Sequence, residues 1–305
     1  MKKLICVLLA VVIIAAGCCS CGAPLDKENR YVLVASFYPI YIFTANLVDG
    51  IDDFRVESLA QQNVGCLHDY SLTAKDVKLL DDADLFVMNG AGMETFMEDV
   101  FEGVDGLKVV DSSEGIEVLC NHKHHEGAEE SSHHHHDENS HIWLSVKNAK
   151  KQIENIKNGI IENFPQYEDE INENFEKYLL RLAELEKARD EFSEQVKGKK
   201  AVSFHGAYEY LAVETGFVIS ETIETDDGGE PSAKELAELS ELIKNEKIKA
   251  LLTEPEYEGS AAEILARETG TEIYELNPVI SGDRNLSAYE DTMKQNYETI
   301  LKAVK

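Results

Sequence analysis

The chain of 305 residues carries 29 Lys and Arg against 58 Asp and Glu, a formal charge of −29, and is 43% hydrophobic. So acidic a chain has little with which to neutralise phosphates, which argues against nucleic acid as a partner; its surface concentrates cations instead. The apolar content suffices for a real core, and the length suits two domains or one large one.

The first residues read as an export signal. Lys2 and Lys3 form a basic start, and residues 4–16 are an apolar run broken only by Cys6, too short to span a bilayer comfortably. Ala15-Ala16-Gly17-Cys18 places small residues before a cysteine and resembles a bacterial lipobox. On that reading residues 1–17 are the signal peptide, Cys18 is the lipidated first residue, and 18–30 is a tether outside the cytoplasm. An ordinary cleaved signal peptide and an uncleaved anchor are the competing readings. No second apolar run is long enough for a membrane span, so passage across the membrane falls to a partner.

Two stretches then alternate strand and helix. The first predicts strands at 31–37, 54–59, 85–88 and 107–110, with helices around 40–48, 74–80 and 94–101. The second predicts strands at 200–204, 217–221, 248–253 and 271–275, with helices around 207–214, 233–244, 261–268 and 289–304. This alternation predicts an α/β fold of two lobes, each with a mainly parallel sheet flanked by helices. The lobes are placed at 31–165 and 198–305.

Residues 166–197 are read as a helix linking them. Ile171, Phe175, Tyr178, Leu182, Leu185, Phe192 and Val196 recur at helical steps with one gap at Arg189, and no Gly or Pro interrupts 167–196. Such a helix spans roughly 45 Å. A coiled-coil dimer is the alternative, but the repeat holds for only about four heptads. An intramolecular helix, and a monomer, is the favoured reading.

Seven of the ten histidines, His122, His124, His125, His133, His134, His135 and His136, crowd a polar segment within 121–140. It is too polar to pack, so it reads as a surface loop of the first lobe. Imidazole is the commonest zinc ligand, and Glu126, Glu129, Glu130, Asp137 and Glu138 add carboxylates. Ordering such a loop around a metal costs entropy, which suits an accessory role in collecting or sensing zinc; a solvated spacer is the bland alternative. Cys66 and Cys120 fit a disulfide and two thiols equally well.

His68, His141 and His205 remain, one in each of three separated segments. Their spacing matches no local zinc motif, and each alone reads equally as a structural histidine. All three follow strands or loops at predicted lobe edges, where open α/β sheets bind ligands.

Several motifs then occur in order: Ser36-Phe37-Tyr38-Pro39, His68-Asp69-Tyr70-Ser71-Leu72-Thr73, Asn89-Gly90-Ala91-Gly92-Met93-Glu94, His141-Ile142-Trp143-Leu144, Phe204-His205-Gly206-Ala207-Tyr208, Glu230-Pro231-Ser232 and Thr253-Glu254-Pro255. Over nearly the whole mature length the chain resembles the metal-binding solute-binding proteins of ABC importers, in particular the zinc-uptake subfamily of cluster A-I lipoproteins. The resemblance implies metal held in the cleft between two lobes joined by one long helix. Its ligands would be His68 and His141 from the first lobe and His205 from the second. It also implies Zn²⁺ as the transported ligand, an ABC permease as partner, and no enzymatic activity. Three imidazoles suit tetrahedral Zn²⁺, whereas manganese-selective relatives usually carry a carboxylate at the third position.

The fourth position departs from the family pattern. Asn277 stands in Tyr274-Glu275-Leu276-Asn277-Pro278 where many relatives carry an acid. Water, or Asn277 acting through it, is expected there, with Cys66 as a remote thiolate candidate. A manganese-binding homologue or a surface adhesin of the same fold is the alternative function. A zinc hydrolase needs a general base that the sequence does not offer.

Overall fold

The computed structural model describes residues 30–60, 70–97, 106–120, 138–223, 230–255, 257 and 259–305. Cys18, Cys66, His68 and the seven histidines at 122–136 lie outside the described residues.

The first sheet comprises β1 (Tyr31–Ala35), β2 (Phe54–Ser58), β3 (Leu85–Met88) and β4 (Val109–Asp111) in the order β2-β1-β3-β4, every pair parallel. The second comprises β7 (Lys200–Ser203), β8 (Val218–Thr222), β9 (Ala250–Thr253) and β10 (Glu272–Glu275) in the order β10-β9-β7-β8, again parallel throughout. Counted from its own first strand, each sheet has the order 2-1-3-4. Parallel sheets covered on both faces read as continuous apolar runs, and β1 (YVLVA) and β9 (ALLT) are such runs. A short antiparallel ladder, β5 (Leu119–Cys120) with β6 (Glu138–Asn139), joins the two ends of the histidine-rich segment.

Helices fill the connections. Helix α1 (Tyr38–Leu47) starts with Pro39 in its first turn, where a missing N–H costs nothing, and is buried on most sides. Helix α2 (Ala74–Asp81) opens on a reciprocal cap: the Thr73 N–H donates to Asp76 Oδ2 at 2.8 Å, and Asp76 N–H to the Thr73 hydroxyl. The sequence reading missed helix α3 (Val146–Asn163), whose buried Val146, Ala149, Ile153, Ile156 and Ile160 follow helical spacing behind a Ser145 cap. Gly159 lets α3 approach β4 closely, since a Cβ there would lie 2.3 Å from Val110 Cγ2. Helix α4 (Glu168–Val196) connects the two sheets and buries Ile171, Tyr178, Leu182, Leu185, Phe192 and Val196. In the second lobe stand α5 (Glu209–Thr215), α6 (Ala233–Glu246), α7 (Ala261–Thr269) and α8 (Ala288–Ala303).

One expectation fails. Instead of a helix beginning at Glu94 there is a single 3₁₀ turn, Thr95–Met97, with 98–105 outside the described residues. The Glu94 side chain turns back to accept the N–H groups of Asn89 at 2.7 Å and Gly90 at 3.0 Å. Gly90, Ala91 and Gly92 all have positive φ, which folds the chain back on itself. Strand edges otherwise differ from the sequence reading by a residue or two, within ordinary end fraying.

One buried apolar cluster runs from Leu33 and Phe43 through Trp143 and Leu182 to Tyr289 and Ile300, so the lobes share a core. Hydrogen bonds cross between them as well. Tyr38 Oη donates to the Asp283 carbonyl at 2.6 Å, Trp143 Nε1 to the Pro278 carbonyl at 2.8 Å, and Tyr289 Oη to the Trp143 carbonyl at 2.8 Å. Arg181 on α4 joins both sides, pairing with Glu290 at 2.9 Å and hydrogen-bonding Asn46.

Candidate metal centre

In an open sheet of this order the switch point lies between the first and third strands, and ligands bind beyond their carboxyl ends. In the second sheet those strands are β7 and β9, paired through Val202↔Leu251 and Ser203↔Leu252. The residues that follow them at the sheet edge are His205 and Glu254. Phe204 N–H donates to the Leu252 carbonyl at 2.9 Å, which carries the pairing one residue past the strand. His205 is then braced at its own main chain, its carbonyl accepting from the Ser203 hydroxyl at 2.7 Å. Its ring Nδ1 is hydrogen-bonded to Glu254 Oε1.

His141 arrives from the first lobe, between β6 and the 3₁₀ turn Ile142–Leu144. It is buried, and its ring lies 5.2 Å from that of Trp143. Asn139 sets its state. The Asn139 carboxamide nitrogen donates to the Gly206 carbonyl at 2.9 Å and to Glu209 Oε2 at 3.2 Å. Those two acceptors fix which end of the amide is NH₂. Its oxygen therefore faces His141, accepting from the main-chain N–H at 3.2 Å and from Nδ1 at 2.9 Å. An amide oxygen only accepts, so Nδ1 of His141 carries the hydrogen and Nε2 the lone pair. A carboxylate at Nδ1 of His205 has the same effect there.

The two rings meet edge to face, with centroids 4.7 Å apart and planes at 89°. Thus the structure brings His141 and His205 together across the lobe boundary. Among the described residues no three His, Cys, Asp or Glu side chains are gathered closely enough to enclose a metal; His68 lies outside them.

Asn277 is engaged elsewhere. Its side-chain oxygen accepts from Val279 N–H at 2.7 Å, and its main chain exchanges hydrogen bonds with the Asn296 amide. That turn holds the buried Val279 at φ 62°, an uncommon conformation for a β-branched residue. Asn277 and Glu254 both line a cavity of about 20 Å³ with Pro255, Pro278, Ile280 and Ser281, room for one water.

Beside the site, Asn89 donates to the Ser140 carbonyl at 3.0 Å, tying the segment before His141 to the end of β3. The neighbouring Glu94 carboxyl is pushed up to about 7 by burial, despite the N–H groups of Asn89 and Gly90 that favour its anion. Sequence reasoning assigned no role to Asn139, Glu209 or Glu254. Asn139 gave a weak signal, as a polar residue two before a candidate ligand. Glu254 gave a stronger one, inside a motif directly after a strand.

The family described as "ZnuA: Zinc-uptake complex component A periplasmic" matches residues 33–303. The chain belongs to this family. Among curated members of the zinc-uptake family, the high-affinity zinc uptake system protein ZnuA of Bacillus subtilis is 31% identical, over 92% of this chain and 89% of that protein. Zinc-binding lipoprotein AdcA of Streptococcus pneumoniae is 30% identical over 92% of this chain, which spans only 58% of AdcA's length. The crystal structure of the Zn(II)-bound ZnuA-like domain of Streptococcus pneumoniae AdcA superposes with a TM-score of 0.74 at 27% identity, covering 90% of this chain and 99% of that domain. The family assignment agrees with the two-lobed α/β architecture and the long connecting helix.

Proposed function

We propose that this protein captures Zn²⁺ outside the cytoplasm and delivers it to the permease of an ABC importer. The observation that carries this reading is the meeting of His141 and His205, each with Nδ1 held by an acceptor of the chain so that Nε2 bears the lone pair. Those two nitrogens and His68 make the ligand set. Water completes the tetrahedron, because the Asn277 oxygen is committed to Val279. The seven histidines between 122 and 136 serve as an accessory collector of zinc, on a segment whose two ends are paired as β5 and β6. Cys18 carries the lipid that holds the chain, as a monomer, at the membrane. Its role is binding, not catalysis.

A competition titration with Zn²⁺, Mn²⁺ and Fe²⁺ tests this. One tight site, selective for Zn²⁺ and lost in each of His68→Ala, His141→Ala and His205→Ala, is the expected result. A tight site that survives His141→Ala and His205→Ala together would overturn it.

A further inference from the structure

We infer that Glu254 is a positioning residue that fixes the ring of His205 and makes it the stronger electron donor of the two described histidines. The inference rests on the zinc-capture reading above and adds a residue to it.

Glu254 reaches His205 because of topology. Parallel pairing of β7 with β9 delivers both residues to one edge of the sheet at its switch point. The Glu254 main chain is anchored there: its carbonyl accepts from Tyr257 N–H at 3.1 Å, and the preceding Thr253 carbonyl accepts from Leu276 N–H at 2.8 Å. Both side chains are largely shielded, His205 at 12% exposure and Glu254 at 21%, so solvent weakens the hydrogen bond only in part. A carboxylate at Nδ1 places the ring hydrogen on that nitrogen, stops rotation of the imidazole, and raises electron density at Nε2. At the same position His141 meets the neutral Asn139 amide. The site is therefore asymmetric: a carboxylate-backed histidine from the second lobe faces an amide-backed one from the first.

The test uses the full chain and three variants, Glu254→Gln, Glu254→Leu and His205→Ala. Two quantities are read. The first is the His205 tautomer in metal-free protein, from long-range ¹H–¹⁵N correlations of the ring. The second is Zn²⁺ affinity by competition with a chromogenic chelator. Glu254→Gln retains an acceptor, so the Nδ1–H tautomer persists and affinity falls by less than about tenfold. Glu254→Leu removes the acceptor, so the tautomers mix and affinity falls by roughly 10- to 100-fold. An unchanged tautomer and affinity in Glu254→Leu would overturn the inference. So would a loss in Glu254→Gln as deep as that in His205→Ala, which would place Glu254 among the ligands themselves. Failure of the zinc reading looks different: His205→Ala would then bind Zn²⁺ like the wild type, while the tautomer would still report on Glu254.

Discussion

Arg189 on the linking helix and Glu214 on α5 form an ion pair at 2.7 Å, and the same carboxylate accepts the main-chain N–H groups of Val146 and Lys147 at the start of α3. Arg189 is the residue that interrupts the apolar stripe of α4, so the gap is a joint where three helices meet. Removing the acid leaves the guanidinium with Asp190 alone and takes the acceptor from the first two N–H groups of α3, whereas removing the base leaves Glu214 with two N–H partners. Glu214→Ala is therefore expected to cost about 2 kcal/mol and Arg189→Met nearer 1 kcal/mol. Urea unfolding measures both; equal losses would contradict the shared role of Glu214.

Gly159 gives a prediction opposed to helix propensity. Alanine is better than glycine by about 1 kcal/mol in a helix interior, but a Cβ at 159 would lie 2.3 Å and 2.8 Å from the two γ-carbons of Val110. Gly159→Ala should lower stability by about 1–3 kcal/mol, and Val110→Ala in the same chain should recover part of the loss. Thermal midpoints of the single and double variants decide it.

Glu94 predicts a pH dependence of definite sign. Its carboxyl titrates at about 7 in the folded chain against an ordinary 4.5. Between those values the folded state keeps a proton that the unfolded state has released, so the contribution is present below about 4.5 and fades as pH rises towards 7. The full effect is about 3 kcal/mol. Glu94→Gln, which has no charge to bury, should gain on the wild type by that order between pH 4.5 and 7.5. A constant difference across the window would refute the assignment.

Zinc binding should depend on the cleft and not on the loop. Deleting residues 122–136 should leave the tight site intact and remove only weaker ones, by calorimetry. Because ligating imidazoles must be deprotonated, affinity should drop as pH falls below about 6.5. Equal affinity at pH 8 and 5 would exclude histidine ligation.

The sheets and the long helix were legible in the sequence because their signals are local: β1 and β9 are unbroken apolar runs, and Ile171 to Val196 repeat at helical steps. Helix α3 escaped because its apolar positions are diluted by Lys and Asn and interrupted by Gly159, a residue explained only by the strand beneath it. The turn at Glu94 was misread as helix because nothing local shows that the side chain folds back onto Asn89 and Gly90. In the site, the histidines stood out by residue type. Their orienting partners did not, because the Asn139–Gly206 and His205–Glu254 contacts join residues 67 and 49 positions apart. An acid two strands away leaves no mark on spacing.

Asn139 belongs to the first lobe yet takes its orientation from Gly206 and Glu209 in the second. The second lobe, which supplies His205, therefore also helps to hold the amide that fixes the ring hydrogen of His141, so each lobe takes part in presenting the other's histidine.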